Sequence, residues 1–517
     1  MTAGQKYDVL VIGGGINGLG IASDAAQRGL RVLIVEKTDW GSGTSSASSR
    51  LIHGGLRYLQ YGEIDLVRES LRERGILTRQ RPHLVHPIQL LIPTFAGMPT
   101  PKWMVGAGLV MYDLLARDAL FPHPSILSLA KTRQREPGLN TEGLSGGYIY
   151  PDAQIEFPER ICVELMQEAR KAGADVRNHS KVTALTQVGK RVTGATVRDE
   201  LTGREETVTA SMTINAAGPW LDVVNRTLSD APPRLIGGTW GTHLILPMRP
   251  QGPQGPIYAT AKKDGRPFFL LPWDGRLLVG TTDVKFIGDN PDRLEMEAWE
   301  VDYLLEESNH LFPAAGYKDT DVEEITVGIR PLPASDKKAG AVSRRHFLVD
   351  HREKQGIEGL ASIVGGKLTT YRSLAQEAVD WTLKALGKPA VPCTTGHLPA
   401  HPLLVPALIT EAQTALANLH LPTTLAPRLI ALYGPAFASV LDRIADDPTL
   451  GKTLGPRTEI LEAQIVHAAQ SEEARTIDDI VHRRLMLFPP TPEAVEGVRR
   501  ICRERNLLRE GALACPA

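Results

Sequence analysis

The sequence predicts an α/β protein, α+β when taken whole: a parallel-sheet domain assembled from separate stretches of chain, a second sheet-based domain, and an all-α C-terminal domain. Three observations predict it. Residues 7–36 read as strand, glycine turn, helix and strand. Several short β-favouring runs separated by turn residues lie between 174 and 350. Beyond about 393 the pattern is helical.

Taken in order, YDVLVI and RVLIVE are continuous β-favouring runs flanking GGGINGLG and an amphipathic stretch, a βαβ unit. KVTALTQV, RVTGATVRD and TVTASMTINAAG, with turns at Gly189 and at Thr202-Gly203, predict a meander that returns to the first sheet. FFLL and RLLVG, joined through Trp273-Asp274-Gly275, predict a hairpin. ASIVGG is a further strand, followed by a helix carrying Tyr371, Leu374, Ala378 and Trp381 on one face and stopped by Gly387. After a proline-rich link near 389–406, Thr476 and Thr491 are expected as N-caps, the second followed by Pro492. The domains expected are therefore 1–85 with 150–233 and 340–390, then 86–149 with 234–339, and finally 393–517.

Composition excludes several classes. The 517 residues predict about three domains at roughly 100–200 residues each. Lys and Arg number 58 against 59 Asp and Glu, a net charge of −1, which argues against a nucleic-acid partner because no overall positive field draws in phosphates. Cys162, Cys393, Cys502 and Cys515 show no CxxC spacing, so neither metal nor disulfide framework is expected, and a reducing compartment fits. The longest uncharged apolar run, Trp103 to Tyr112, is about half of the ~20 residues a membrane-spanning helix needs. With the first strand expected to begin at Tyr7, no leader sequence is expected either.

Gly13, Gly15 and Gly18 follow the first strand as GxGxxG, and Glu36 closes the second. The first glycine permits a tight turn, the second lets backbone approach a pyrophosphate, and the third lets helix and strand pack closely. The helix N-terminus favours the anion, and a carboxylate ending the second strand accepts hydrogen bonds from ribose hydroxyls. This spacing predicts a dinucleotide.

GSGTSSASSRLIHGGLRYL, TINAAGPW and IVGGKLTTY then resemble segments of the glutathione-reductase-like flavoproteins, in the branch of D-amino-acid oxidase. The resemblance implies FAD. It adds Asn17, Thr44, Ser45, Ser46, Ser49, Val182, Gly218, Gly365, Gly366, Lys367, Leu368 and Thr369 to the cofactor-binding set. Gly365 and Gly366 are expected to leave amides at a helix start facing the electron-rich edge of the reduced ring.

SSRLIHGGLRYLQYGE, VGIRPL, FFLLPWDGRLLVGTTDV, SRRH and GGKLTTYR are together similar to the FAD-dependent glycerol-3-phosphate dehydrogenases, respiratory enzymes of glycerol catabolism, with the motifs in the order expected of that family. The similarity runs from about residue 6 to 385, and TIDDIVHRR in the tail resembles that family's C-terminal domain. Arg345 departs from it, an acid being commoner there. A glycerol phosphate needs converging cations. Arg57, Arg330, Arg344 and Lys367 lie in the matching motifs, with Tyr58 and Thr281 beside them as further substrate-binding residues and Thr282 and Asp283 lining or orienting the site. Hydride loss from a secondary alcohol also requires a proton acceptor. His53 and His243 are the two candidates, His53 slightly ahead, and Arg330 and Lys367 complete the catalytic set.

The family resemblance implies quinone as electron acceptor, with oxygen as the alternative. It implies a peripheral membrane location on the inner face of the cell membrane, in the cytoplasm, and admits a homodimer. Arg68, Arg72, Arg79 and Arg81 are one candidate membrane face, against pairing with Glu69 and Glu73. KWMVGAGLVMYDLL is the other, against a core helix. An amine or amino-acid oxidase, and a protein holding FAD without catalysis, are the competing readings.

Overall fold

The computed structural model describes residues 6–116, 118, 120–335, 344–398, 404–455 and 458–509. The Lys6–Ile12 and Val32–Val35 strands pair in parallel, Val9 opposite Val32, with the Ile16–Gln27 helix crossing between them. Beyond Lys6 every residue of both strands is buried, as a strand sandwiched between layers requires. The meander forms as Ser180–Val188, Arg191–Asp199 and Glu205–Asn215, and its last strand returns parallel to the first, Met212 beside Val9. Leu360–Val364 extends this sheet in parallel, Phe347–Asp350 closes one edge antiparallel, and Asp175–Arg177 lies beyond Val32–Val35. Eight strands make up the sheet.

The second sheet has ten strands. Thr239–Pro247 runs between Glu324–Arg330 and Arg276–Gly280, and the predicted hairpin from Pro267–Trp273 to Arg276–Gly280 turns on Asp274 (φ 46°) and Gly275 (φ 75°), the left-handed pair that a two-residue hairpin favours. The domain boundary expected at 150 falls inside the Leu144–Ile155 strand. That strand stays in the second sheet to its end because it pairs with Val85–Phe95 along its whole length, from Leu144 opposite Phe95 to Ile155 opposite Val85. Leu51–Ile52 joins the second sheet as well, although its segment was expected in the first domain.

The C-terminal region holds the helices Val405–Asn418, Ala426–Tyr433, Phe437–Asp446, Glu462–Ser471 and Pro492–Glu504. Thr491 accepts from the amide of Ala494 at 3.3 Å and Thr476 from that of Asp479 at 3.1 Å, so both capping expectations hold. Cys515 lies outside the described residues. The stretch Thr423–Asp446 is long and apolar enough to cross a bilayer, but over half of it is buried, and Leu429 and Ile430 belong to the same apolar core as Phe157, Ile161 and Cys162 of the first domain. The helical region is therefore fused to the dinucleotide half through one core.

That fusion includes a buried ion pair. Arg160, on the Pro158–Lys171 helix, bonds both carboxylate oxygens of Glu472 at 2.6 and 2.8 Å and the carbonyl of Leu432 at 2.7 Å. Removing one partner strands the other charge in the interior. We expect Arg160→Ala to lower stability by about 3–5 kcal/mol in urea unfolding, with both regions melting in one transition.

Candidate active site

One cavity of about 1550 Å³ opens where the carboxyl ends of the first sheet's parallel strands meet the Thr239–Pro247, Arg276–Gly280 and Glu324–Arg330 strands of the second. It exceeds the roughly 300–1,000 Å³ of common small-ligand pockets, leaving room for a dinucleotide and a second molecule. At one part the wall is the glycine turn. Gly13 has φ 109°, and a Cβ on Gly18 would stand 1.9 Å from the carbonyl oxygen of Gly13, so Gly18 serves the tight helix–strand packing and does not itself line the cavity. Gly15, the residue before the helix, supplies no side-chain cap, and a Cβ there would meet only Ser45 Oγ, at 3.4 Å. Ser45 Oγ accepts from the amide of Ile16 at 3.0 Å.

These residues fit the implied FAD. The helix start, with Ser45 taking the amide of Ile16, offers its other first-turn amides to a pyrophosphate, and the side-chain oxygen of Asn17 is buried in the cavity wall without a partner among the described residues. Glu36 reaches the cavity while accepting from the amides of Gly14 (2.6 Å) and Thr38 (2.9 Å). Thr44, Ser45, Ser49, Val182, Gly218, Gly365, Gly366, Leu368 and Thr369 also line the cavity. Ser46 does not: its hydroxyl turns inward to the carbonyl of Gly43 at 2.9 Å. The expectation for Gly365 also needs correction, because its amide is spent on the carbonyl of Pro331 at 3.0 Å. The helix expected directly after the glycines is preceded by a 3₁₀ turn, Leu368–Thr370, that has no side-chain cap.

The cations converge. Arg330, ending its strand, is held by Thr281 Oγ1 (2.9 Å), the Thr282 carbonyl (3.2 Å), Asp283 Oδ1 (3.1 Å) and Thr239 Oγ1 (3.3 Å). Lys367 stands over the ring of Tyr58, 4.1 Å from its centroid, and donates to Ser70 Oγ at 3.0 Å. Arg344 lines the same space, as does Arg57, whose guanidinium reaches Tyr61 at 3.4 Å. Burial and then the repulsion of Arg344 push Lys367 down to about 7 and Arg330 to about 10, the latter partly offset by Asp283. Burial followed by Lys367, Arg344 and Arg74 pushes His53 down to about 3. Burial with Arg330 and Arg50 does the same to His243. Both imidazoles are thus neutral at physiological pH. His243 shares a proton with Ser49 at 2.8 Å through Nε2, and its Nδ1 is buried without a partner among the described residues. His53 is anchored through its backbone, the amide donating to Thr369 Oγ1 at 3.1 Å.

Two supporting residues escaped the sequence reading. Ser70 lies on the Ile64–Gln80 helix, fully buried, and gives its own proton to the carbonyl of Leu66, which leaves its oxygen to receive Lys367. Glu300 is fully buried and accepts from Trp240 Nε1, Thr242 Oγ1 and Thr282 Oγ1 at 2.9, 2.8 and 2.5 Å, bracing the wall that orients Arg330. Neither sits in a recognisable motif.

The candidate arginine face divides: of the expected pairings Arg72 with Glu73 forms, while Arg68, Arg79 and Arg81 pair elsewhere. Arg79 pairs with Asp118, and Arg81 is buried against Glu168 (2.7 Å) and Glu164 (3.3 Å), so Arg81 is not available to a membrane. Arg72 pairs with its neighbour Glu73 and Arg68 with Asp65, while Glu73 is buried chiefly against Arg372 and Glu69 accepts from Ser373.

A site whose lysine is pushed down by burial and a neighbouring arginine should bind anions more weakly as that lysine loses charge. Sulfate keeps its charge between pH 6 and 9, so its dissociation constant should rise as pH passes about 7. In Lys367→Met the dependence should flatten. Thermal-shift titration with sulfate checks this.

Comparison with known proteins agrees with the geometry. Residues 8–372 match the family described as FAD dependent oxidoreductase, and residues 364–503 match the C-terminal domain of alpha-glycerophosphate oxidase. A glycerol-3-phosphate dehydrogenase of Synechocystis sp. is 40% identical over 489 residues, 92% of this chain and 88% of that protein. An aerobic glycerol-3-phosphate dehydrogenase of Staphylococcus haemolyticus is 37% identical over 401 residues, covering 76% and 71%. Among solved structures, the glycerol-3-phosphate dehydrogenase of Bacillus halodurans complexed with FAD aligns with a TM-score of 0.80 at 28% identity, covering 99% of this chain and 93% of that one. The chain belongs to the DAO family of FAD-dependent oxidoreductases, in its glycerol-3-phosphate dehydrogenase branch.

Proposed function

We propose that this protein oxidises sn-glycerol 3-phosphate to dihydroxyacetone phosphate and passes the electrons to a quinone at a membrane surface. The observation that carries the reading is the group of Arg330, Arg344 and Lys367, in which Arg344 repels both of the others and Asp283 is the carboxylate paired directly to Arg330. A phosphate dianion satisfies all three. The names of the Synechocystis and staphylococcal relatives support the same substrate. When bound, FAD supplies the hydride acceptor.

The chain's own groups do the rest. Arg330, held by the Thr281–Asp283 wall, and Arg344 and Lys367 fix the phosphate; Arg57 covers it. His53, neutral in the empty site, is available to take the hydroxyl proton, and a dianion beside Lys367 and Arg344 cancels part of the field that makes it a weak base. Substrate binding thereby raises the basicity of the group that needs it. His243, with one nitrogen engaged by Ser49, is the alternative acceptor. The amine or amino-acid oxidase reading fits less well, since a single carboxylate would leave two of the cations unmatched.

Anaerobic addition of glycerol 3-phosphate to the holoprotein should bleach the flavin absorbance, whereas amino acids should not. Arg330→Ala should raise KM by tenfold or more while flavin content is retained. Bleaching by amino acids alone would overturn the substrate assignment, and reoxidation faster by oxygen than by a soluble quinone would overturn the acceptor.

The membrane surface rests on the Lys102–Ala116 helix. Only Leu109 and Tyr112 are buried; Trp103 (70% exposed), Val110 (61%) and Leu114 (68%) stand out from the protein with Met104 and Met111, which excludes the core-helix reading. Exposed apolar surface of this extent with an aromatic at one end suits the headgroup–acyl boundary. Sedimentation with phospholipid vesicles should carry down the protein, and Trp103→Ser with Leu114→Ser should release most of it. Undiminished sedimentation of that double variant would rule this helix out as the anchor.

A further inference from the structure

The helical domain enters the cofactor site through the tail motif TIDDIVHRR, residues 476–484. Asp39 lies three residues after Glu36 and is fully buried. Four hydrogen bonds meet on its carboxylate: from Arg484 at 2.6 and 2.9 Å, from Arg483 at 2.7 Å and from Asn178 at 2.9 Å. Although burial opposes ionisation, Arg484 and Arg483 keep Asp39 charged. The arginines are themselves fixed. Arg484 also bonds the carbonyl of Glu472, and Arg483 bonds Asp479, which in turn holds His179 at 2.9 Å and the amides of Arg475 and Thr476 at 2.8 and 3.0 Å.

From Asp39 the connection runs into the glycine turn. Gly41 donates its amide to the carbonyl of Gly14 at 2.9 Å, and Trp40 packs so closely that a Cβ on Gly14 would stand 2.6 Å from its ring. The same loop supplies Thr38, Ser42, Thr44 and Ser45 to the cavity wall, where Arg483 and Asp478 of the helical domain also appear.

We propose that the helical domain is a built part of the FAD site: Arg483 and Arg484, acting through Asp39, are positioning residues that hold the loop from Glu36 to Ser46 in its cofactor-binding form. The claim concerns cofactor affinity, so it stands or falls independently of which substrate bleaches the flavin.

The test uses the full-length chain, stripped of FAD and titrated back while flavin fluorescence is followed. Arg483→Gln, whose side chain is 12% exposed and so the milder change, should raise the FAD dissociation constant at least tenfold. Asp39→Asn should do so more strongly, and Arg483→Lys should recover part of the affinity. The Arg483→Gln apoprotein should melt somewhat below wild type, because one of the two arginines facing the buried Asp39 is lost, and beyond that its increase in melting temperature on adding FAD should shrink. Should Asp39→Asn not fold, Arg483→Gln decides. Wild-type FAD affinity in Arg483→Gln, or a destabilised apoprotein with unchanged affinity, would overturn the proposal and leave the contact a purely structural one.

Discussion

Like charge held in a confined space governs this molecule. Lys367, Arg330 and Arg344 face one cavity, and burial with the repulsion of Arg344 moves a lysine from its ordinary 10.5 to about 7, a cost on the order of a few kcal/mol that the fold must carry. Such strain persists only where surrounding structure over-determines it. Here that structure is the second sheet and the Ile64–Gln80 helix. Four bonds fix Arg330, Glu300 braces the loop that makes three of them, and Ser70 with the ring of Tyr58 holds Lys367. An incoming dianion recovers the cost, and this is how binding energy becomes specificity for phosphate over a neutral or singly charged substrate.

The same field sets the chemistry. An imidazole near 3 is a poor proton acceptor, yet it remains unprotonated and ready across the physiological range. Neutralising its cationic neighbours couples its basicity to occupancy of the site. The glycine turn and the cation cluster share one cavity because the two sheets meet there, and the cluster draws on both: Arg330 ends a strand of the second sheet, while Lys367 follows the Leu360–Val364 strand of the first. The helical domain completes the arrangement from behind the loop.

Much of this was legible in the sequence where the chemistry is local. The βαβ unit, the meander, the Asp274-Gly275 hairpin and both threonine caps follow from periodicity and turn residues, because each is decided by backbone geometry within a few positions. Arg330, Lys367 and the two histidines were legible through motif context, and the structure does bring them to one cavity. What escaped depends on partners distant in sequence. Arg81 reads as a solvated basic residue until Glu164 and Glu168 arrive from another helix. Ser46 reads as one more serine in a run, and only the turn's direction sends it inward. Gly365 loses its amide to Pro331, and Asp39 gains its meaning from arginines more than 440 positions away. The Lys102–Ala116 helix is the converse case: its apolar residues satisfy a core pattern, and only the absence of covering neighbours marks them as surface.

The coupling between charge and occupancy can be measured directly as proton uptake. Propane-1,3-diol monophosphate keeps the phosphate dianion but lacks the secondary carbinol, so it can bind without reacting. Calorimetric titration of the holoprotein at pH 8 in two buffers of different ionisation enthalpy should show close to one proton taken up per ligand bound, as Lys367 regains its charge. Tight binding with no proton uptake would mean the lysine was already charged in the empty site, and the account of a cation cluster relieved by its substrate would be wrong.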